Sequence, residues 1–236
     1  MGGHGSLCAT LNGPAELVDA VALLVLYDPV LMRPLPPDQA LVVALAEGAR
    51  KRRTHFPSVA AARAAYRGRG VFKRWPDESL DAYLIDAFRP AGADASAGVR
   101  LTCEPHVEAA HFALRIDLLW SRLRHVRRPV VFVSGAESAH VPTDVLRDAA
   151  ALVPGAGFVA VPRAEHCPQL EWPAESAALF DRAFRARAAG GAHADLHPAA
   201  AARHVVAHDR RDDAASPSVG LAAAAAAVAG AARGRL

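Results

Sequence analysis

Four side chains of this sequence have types suited to nucleophilic chemistry, and they come in the order Ser6, Asp28, Glu137 and His166. A serine hydroxyl attacks a carbonyl when an imidazole takes its proton. The imidazole works when a carboxylate fixes its tautomer and stabilises the imidazolium. Where these residues fall matters more than their order. His166 closes Val161-Pro162-Arg163-Ala164-Glu165-His166, directly after the apolar run Gly157 to Pro162. Glu137 follows the apolar run Pro129 to Gly135 by a tight turn, and Asp28 follows Val21 to Tyr27. If the three runs are parallel strands, their ends meet on one edge and these side chains converge there. Two carboxylates then compete to orient His166, Glu137 and Asp28. Asp28 also suits a turn cap ahead of Pro29.

The elements that must position them read as alternating strand and helix. Val21 to Tyr27 and Pro129 to Gly135 are continuous apolar runs, the pattern of strands buried on both faces. A helix is expected from about Thr143 to Leu152, ended by Pro154-Gly155, and another from about Pro173 to Arg187 with proline in its first turn. Between the first two strands lie about 100 residues of helical pattern. The segments are Pro37 to Arg53, Ser58 to Arg67, Pro76 to Phe88 and His106 to Leu123. That is too long for one crossover helix. It reads as an insertion at the carboxyl ends of the strands, where loops build ligand sites. From Gly190 to Leu236 there is no Phe, Trp, Tyr, Ile or Met. Such a segment buries too little apolar area to offset its ordering entropy, so a mostly disordered tail is expected, with a fraying helix over Val219 to Ala232.

Leu24 to Val30 (LVLYDPV), Arg128 to Ser138 (RPVVFVSGAES) and Pro154 to Glu175 (PGAGFVAVPRAEHCPQLEWPAE) resemble the C-terminal two thirds of an α/β-fold hydrolase with a helical cap. The resemblance covers Leu17 to about Arg187. Its most specific part is His166 with Leu170, Glu171 and Pro173, which match the strand–His–apolar–Pro–Leu–Glu–x–Pro pattern that carries the catalytic histidine. The stretches Arg50 to Phe88 and Val99 to Phe112 resemble a cap of bacterial members. The family's nucleophile sits in Gly-His-Ser-x-Gly, on a sharp turn. Here Gly3-His4-Gly5-Ser6-Leu7-Cys8 has one extra residue, with Cys8 where a glycine usually stands. Aligned without that residue, the nucleophile position is Gly5. The family's upstream strands have no counterpart ahead of Gly3, so the resemblance implies a shortened chain.

The expected class is therefore α/β, a partial α/β-hydrolase fold. Residues 1–30 are the elbow remnant and a core strand, 31–127 the helical cap, 128–188 the C-terminal core with acid and histidine, and 189–236 the tail. The resemblance implies a serine esterase-like enzyme acting on a small apolar ester or related acyl compound. Ser6 attacks, His166 moves the proton, Glu137 or Asp28 orients it, and backbone N–H groups after Ser6 form part of the oxyanion hole. No cofactor and no metal are implied. The alternative is a catalytically inactive truncated relative or gene fragment that at most binds, with an exposed sheet edge at Val21 to Tyr27 able to pair with a second copy.

Composition narrows the partners. Apolar residues make up 52% but aromatics only 6%, so alanine inflates the apparent core. A net charge of +3 is small for a polyanion binder, although Arg50-Lys51-Arg52-Arg53 with Arg63, Arg67, Arg69, Lys73 and Arg74 forms a basic stretch interleaved with aromatics. It reads as the solvated face of cap helices, or as a reader of an acidic substrate group, rather than as a nucleic-acid site. No run of about 18 strongly apolar residues predicts a membrane span, and the first residues lack a secretory pattern. Cys8, Cys103 and Cys167 are an odd, sparse set, which points to a reducing, cytoplasmic setting. Cys103 with His106 and His111 has metal-like spacing but no fourth partner. Cys167 adjoins His166, but adjacent residues after a strand point apart.

Overall fold

The computed structural model describes residues 2–33, 39–113 and 117–190. In chain order it contains α1 (Gly2–Asn12), α2 (Ala15–Asp19), β1 (Leu24–Tyr27), α3 (Gln39–Arg50), β2 (His55–Phe56), α4 (Val59–Tyr66), α5 (Asp77–Ala87), β3 (Phe88–Pro90), β4 (Val99–Leu101) and α6 (Pro105–Phe112). A 3₁₀ segment (Asp117–His125), β5 (Val130–Gly135), α7 (Thr143–Leu152), β6 (Gly157–Val161), α8 (Pro168–Glu171) and α9 (Pro173–Ala188) complete it. The tail beyond Gly190, with the helix expected over Val219 to Ala232, lies outside the described residues. The chain divides into two compact units. Among the described residues, one holds 2–33, 117–169 and 174–190, and the other 39–113 and 170–173.

The first unit is built on a parallel sheet in the order β1-β5-β6. Leu24 pairs with Val130 and Tyr27 with Val133; Val131 pairs with Gly157 and Gly135 with Val161. The apolar run Val130 to Val133 is explained by its two faces. Side chains alternate along a strand, so Val130 and Phe132 point one way and Val131 and Val133 the other. Val130 and Phe132 pack with Leu7 of α1, Leu119 and Leu123 of the 3₁₀ segment, and Leu146 and Ala149 of α7. Val131 and Val133 pack with Val159 of β6 and Leu179 and Ala183 of α9. Both faces are covered, so every position must be apolar. The 3₁₀ segment belongs to this core, so the inserted unit ends before residue 117 rather than at 127.

The second unit is not only helical. Its helices accompany an antiparallel sheet in the order β2-β4-β3, with Phe56 opposite Val99 and Phe88 opposite Leu101. Phe56, Leu80, Leu84, Phe88 and Leu101 form its buried centre. Tyr66 and Phe72 stack with ring centroids 4.7 Å apart, and Phe56 meets Phe88 edge-on at 5.5 Å. Strands of two or three residues carry no usable periodicity, which is why helix signals dominate this stretch. Several of its basic side chains meet carboxylates. Both Glu108 oxygens accept from Arg52 at 2.9 Å, Asp81 pairs with Arg63, Asp77 with Arg67, and Glu104 with Arg89 and Arg100.

Among the described residues no helix is long and apolar enough to cross a membrane. No group of three or more His, Cys, Asp or Glu side chains there is placed to hold a metal ion, so Cys103, His106 and His111 do not form one.

Candidate functional site

Parallel pairing puts the carboxyl ends of β1, β5 and β6 on one edge, and the loops leaving them meet there. The ladder extends one residue past β1, where the Asp28 N–H donates to Val133 O at 2.7 Å. Asp28 then turns with φ of +41°, a left-handed conformation that aspartate tolerates better than most residues. After β5, the Ala136 N–H donates to Val161 O at 3.0 Å and the Glu137 N–H to Ala164 O at 2.8 Å. These bonds fasten the loop carrying His166 to the turn after Gly135. Arg163 and Cys167 in that loop also have positive φ, of 60° and 75°. Three non-glycine residues in that region around one histidine mark a backbone held by its surroundings.

The histidine meets a carboxylate, and the carboxylate is Asp28. His166 Nδ1 lies 2.6 Å from Asp28 Oδ2. The Asp28 side chain is fully buried, while that of His166 keeps 24% of its surface. A buried carboxylate must have its oxygens satisfied, and here three donors converge on it. Besides His166, the Ser138 hydroxyl donates to Oδ2 at 2.6 Å and the Gly135 N–H to Oδ1 at 3.4 Å. With Nδ1–H directed to Asp28, Nε2 is the bare nitrogen able to take a proton. Glu137, the other sequence candidate, is exposed on the turn, where its N–H serves the loop of His166.

His140 was not singled out by the sequence. Its ring stacks on that of His166, with centroids 4.8 Å apart and planes 29° from parallel. Desolvation, and next the charge His166 would carry, hold His140 below the ordinary imidazole value; Asp28 and Glu165 oppose this more weakly. As pH falls, the unfolded chain therefore binds this proton first. His140 lowers the stability of the folded state as pH drops through 6.5 toward its folded value, and contributes nothing well above 6.5. An NMR titration of the His140 ring protons should show a midpoint below 6.5. A midpoint at or above 6.5 would contradict the stacked arrangement.

Ser6 is not on a turn. It lies inside α1, and its hydroxyl donates to Gly2 O at 3.0 Å. The expected donors after Ser6 are also committed, since a helix beginning at Gly2 uses the Ser6 and Leu7 N–H groups in its own ladder. Gly5, the other candidate position, faces open space. The helix nevertheless starts beside the Asp28 loop. A Cβ at Gly3 would lie 2.6 Å from Pro29 Cβ, so only glycine lets α1 approach so closely. The edge thus joins Asp28 and His166 by a direct bond, adds Ser138 and His140, and leaves the Ser6 hydroxyl bonded within its own helix.

No protein-family model and no curated protein matches the chain. Solved structures do. The chain is similar to E-2-(acetamidomethylene)succinate hydrolase, with a TM-score of 0.59 and 20% identity over 77% of this chain and 62% of that one. It is similar to a peroxisomal alpha-beta-hydrolase of Saccharomyces cerevisiae, with a TM-score of 0.54 and 15% identity over 98% of this chain and 58% of that one. It is also similar to a putative hydrolase from Rickettsia typhi, with a TM-score of 0.56 and 14% identity over 78% and 59%. At such identities the likeness concerns the fold alone, and the chain spans about 60% of the length of these structures. The chain has part of the α/β-hydrolase fold.

Proposed function

We propose that this protein is a hydrolase that cleaves an ester or related acyl bond of a small apolar molecule, with His166 moving the proton and Asp28 orienting it. The observation that carries this reading is the 2.6 Å bond between His166 Nδ1 and the buried Asp28 carboxylate. It fixes the tautomer that leaves Nε2 free to act as a base. Ser6 is the proposed nucleophile. Its hydroxyl reaches a substrate only after rotating off Gly2 O, the change that separates a resting from an attacking serine here. The N–H groups in the first turn of α1, free of ladder partners, are the proposed oxyanion donors. No cofactor is invoked, and the proposed partner is a small-molecule substrate rather than nucleic acid or a membrane.

A second reading is favoured by the Ser6–Gly2 bond and by the missing side chain at Gly5. In it the chain keeps the fold and binds without turning over, and β1, at one edge of the described sheet, is where a second copy would pair. Turnover of a chromogenic short-chain ester decides between them. Wild type should be active, and His166→Ala should lose at least about 10³-fold. Ser6→Ala should lose turnover and also stoichiometric labelling by a serine-directed phosphonate. Activity that survives Ser6→Ala but not His166→Ala would replace the serine with an attacking water. Activity that survives both would remove the triad, and an inactive, unlabelled wild type supports the binding reading.

A further inference from the structure

We infer that Ser138 is a positioning residue that selects which oxygen of Asp28 faces His166 and sets how strongly that oxygen holds the Nδ1 proton. The inference builds on the reading of His166 as the base, but its geometry stands apart from any substrate. Ser138 Oγ accepts from the Val141 N–H at 3.3 Å and lies 2.6 Å from Asp28 Oδ2. A carboxylate only accepts, so the serine proton points at Asp28. The result is a directed chain: Val141 N–H to Ser138 Oγ, Ser138 O–H to Asp28 Oδ2, and His166 Nδ1–H to the same Oδ2.

Two short bonds therefore share one oxygen, while Oδ1 receives a single long bond from the Gly135 N–H at 3.4 Å. That imbalance has two consequences. The Oδ1 contact alone is too weak to stop the carboxylate rotating about its Cβ–Cγ bond, so Ser138 holds the rotation. The second donor also draws electron density from Oδ2, so His166 keeps its tautomer without the aspartate gripping its proton fully. Ser138 itself is fixed by the turn. The Ser138 N–H donates to Gly135 O at 3.0 Å, and Val141, whose N–H meets Oγ, is anchored in the apolar core. The serine occupies the loop immediately after β5, three residues beyond the glycine that touches the His166 loop. One strand end thus supplies both the backbone support of the histidine and the hydroxyl that tunes its partner.

The test is a long-range ¹H–¹⁵N correlation of the histidine rings in full-length protein, with His166→Gln to assign the signal. This experiment reads non-exchanging ring protons and needs no substrate. Wild type should show His166 protonated on Nδ1. Ser138→Ala should move the Nδ1 resonance of His166, and Ser138→Cys, which keeps the volume with a weaker donor, should move it the same way. Ser138→Thr, which keeps the hydroxyl, should restore the wild-type position. With ester substrate, Ser138→Ala should lower kcat about tenfold with KM within twofold, the scale of one hydrogen bond to a charged group. Unmoved resonances in folded Ser138→Ala or Ser138→Cys would overturn the inference, as would collapse of the fold in both. Moved resonances in a protein that turns over no ester would uphold it while removing the esterase reading.

Discussion

Asp28→Asn should reduce ester turnover by about 10³- to 10⁴-fold with the fold intact. Asparagine nearly matches aspartate in shape and accepts the +41° φ of this position, so the backbone need not move. The chemistry changes because one acceptor oxygen becomes a donor. Asp28 Oδ2 now receives both Ser138 and His166. If the amide nitrogen takes that place, it faces two donors. Ser138 can rotate its proton away, but His166 must present a bare Nδ1, which moves its own proton to Nε2. Nε2 then cannot accept the nucleophile's proton. If the amide oxygen takes the place instead, the tautomer is kept but the charge that stabilises the imidazolium is gone. Both arrangements lose turnover. Steady-state kinetics should show the fall in kcat, and ring ¹⁵N shifts should show which arrangement forms. Turnover within threefold of wild type, with native near-UV dichroism, would mean that Asp28 does not orient the base.

That Asp28 rather than Glu137 is hydrogen-bonded to His166 was not decidable from the sequence. Both follow an apolar run, and both have a short loop with which to reach His166. What separates them is a backbone angle at Asp28 and a turn at Gly135 that sends Glu137 outward, and neither leaves a signature in residue type. The strand containing Val130 to Val133 was legible because both of its faces are covered. His166 stood out as a candidate because the residues around it match a specific pattern. Ser138 and His140 were missed because their importance comes from contacts across 110 and 26 positions, to Asp28 and His166 respectively. The start of the chain misled for a different reason. Gly2, Gly3 and Gly5 each disfavour helix by about 1 kcal/mol, so the stretch reads as a turn. Leu7, fully buried against Phe132 and its neighbours, pulls it into α1 all the same, as tertiary packing often overrides propensity.

Gly135→Ala should be the most damaging single methyl group in the first unit. A Cβ at this position would lie 1.9 Å from Glu165 O, 2.7 Å from Ala164 O and 2.7 Å from Glu165 C. All three are backbone atoms, so no side-chain rotation relieves the clash. Either β5 or the His166 loop must move. Neither moves freely, because β5 is bonded to β1 and β6 on its two sides and the loop is tied by the Ala136 and Glu137 N–H groups. Overpacking a rigid site costs about 1–3 kcal/mol and more where the backbone cannot yield, so at least about 3 kcal/mol is expected here. At about 2–4 °C per kcal/mol for a chain of this size, Tm should fall by roughly 10 °C. The loop is the weaker partner, so any folded Gly135→Ala protein should also show His166 freed from Asp28 in its ring ¹⁵N shifts. Gly5→Ala is the control. A Cβ there meets nothing within 4 Å, and alanine favours the helix, so Tm should hold or rise slightly. If Gly135→Ala melts within 2 °C of wild type, the close seat of the His166 loop on the end of β5 is wrong, and with it the placement of His166.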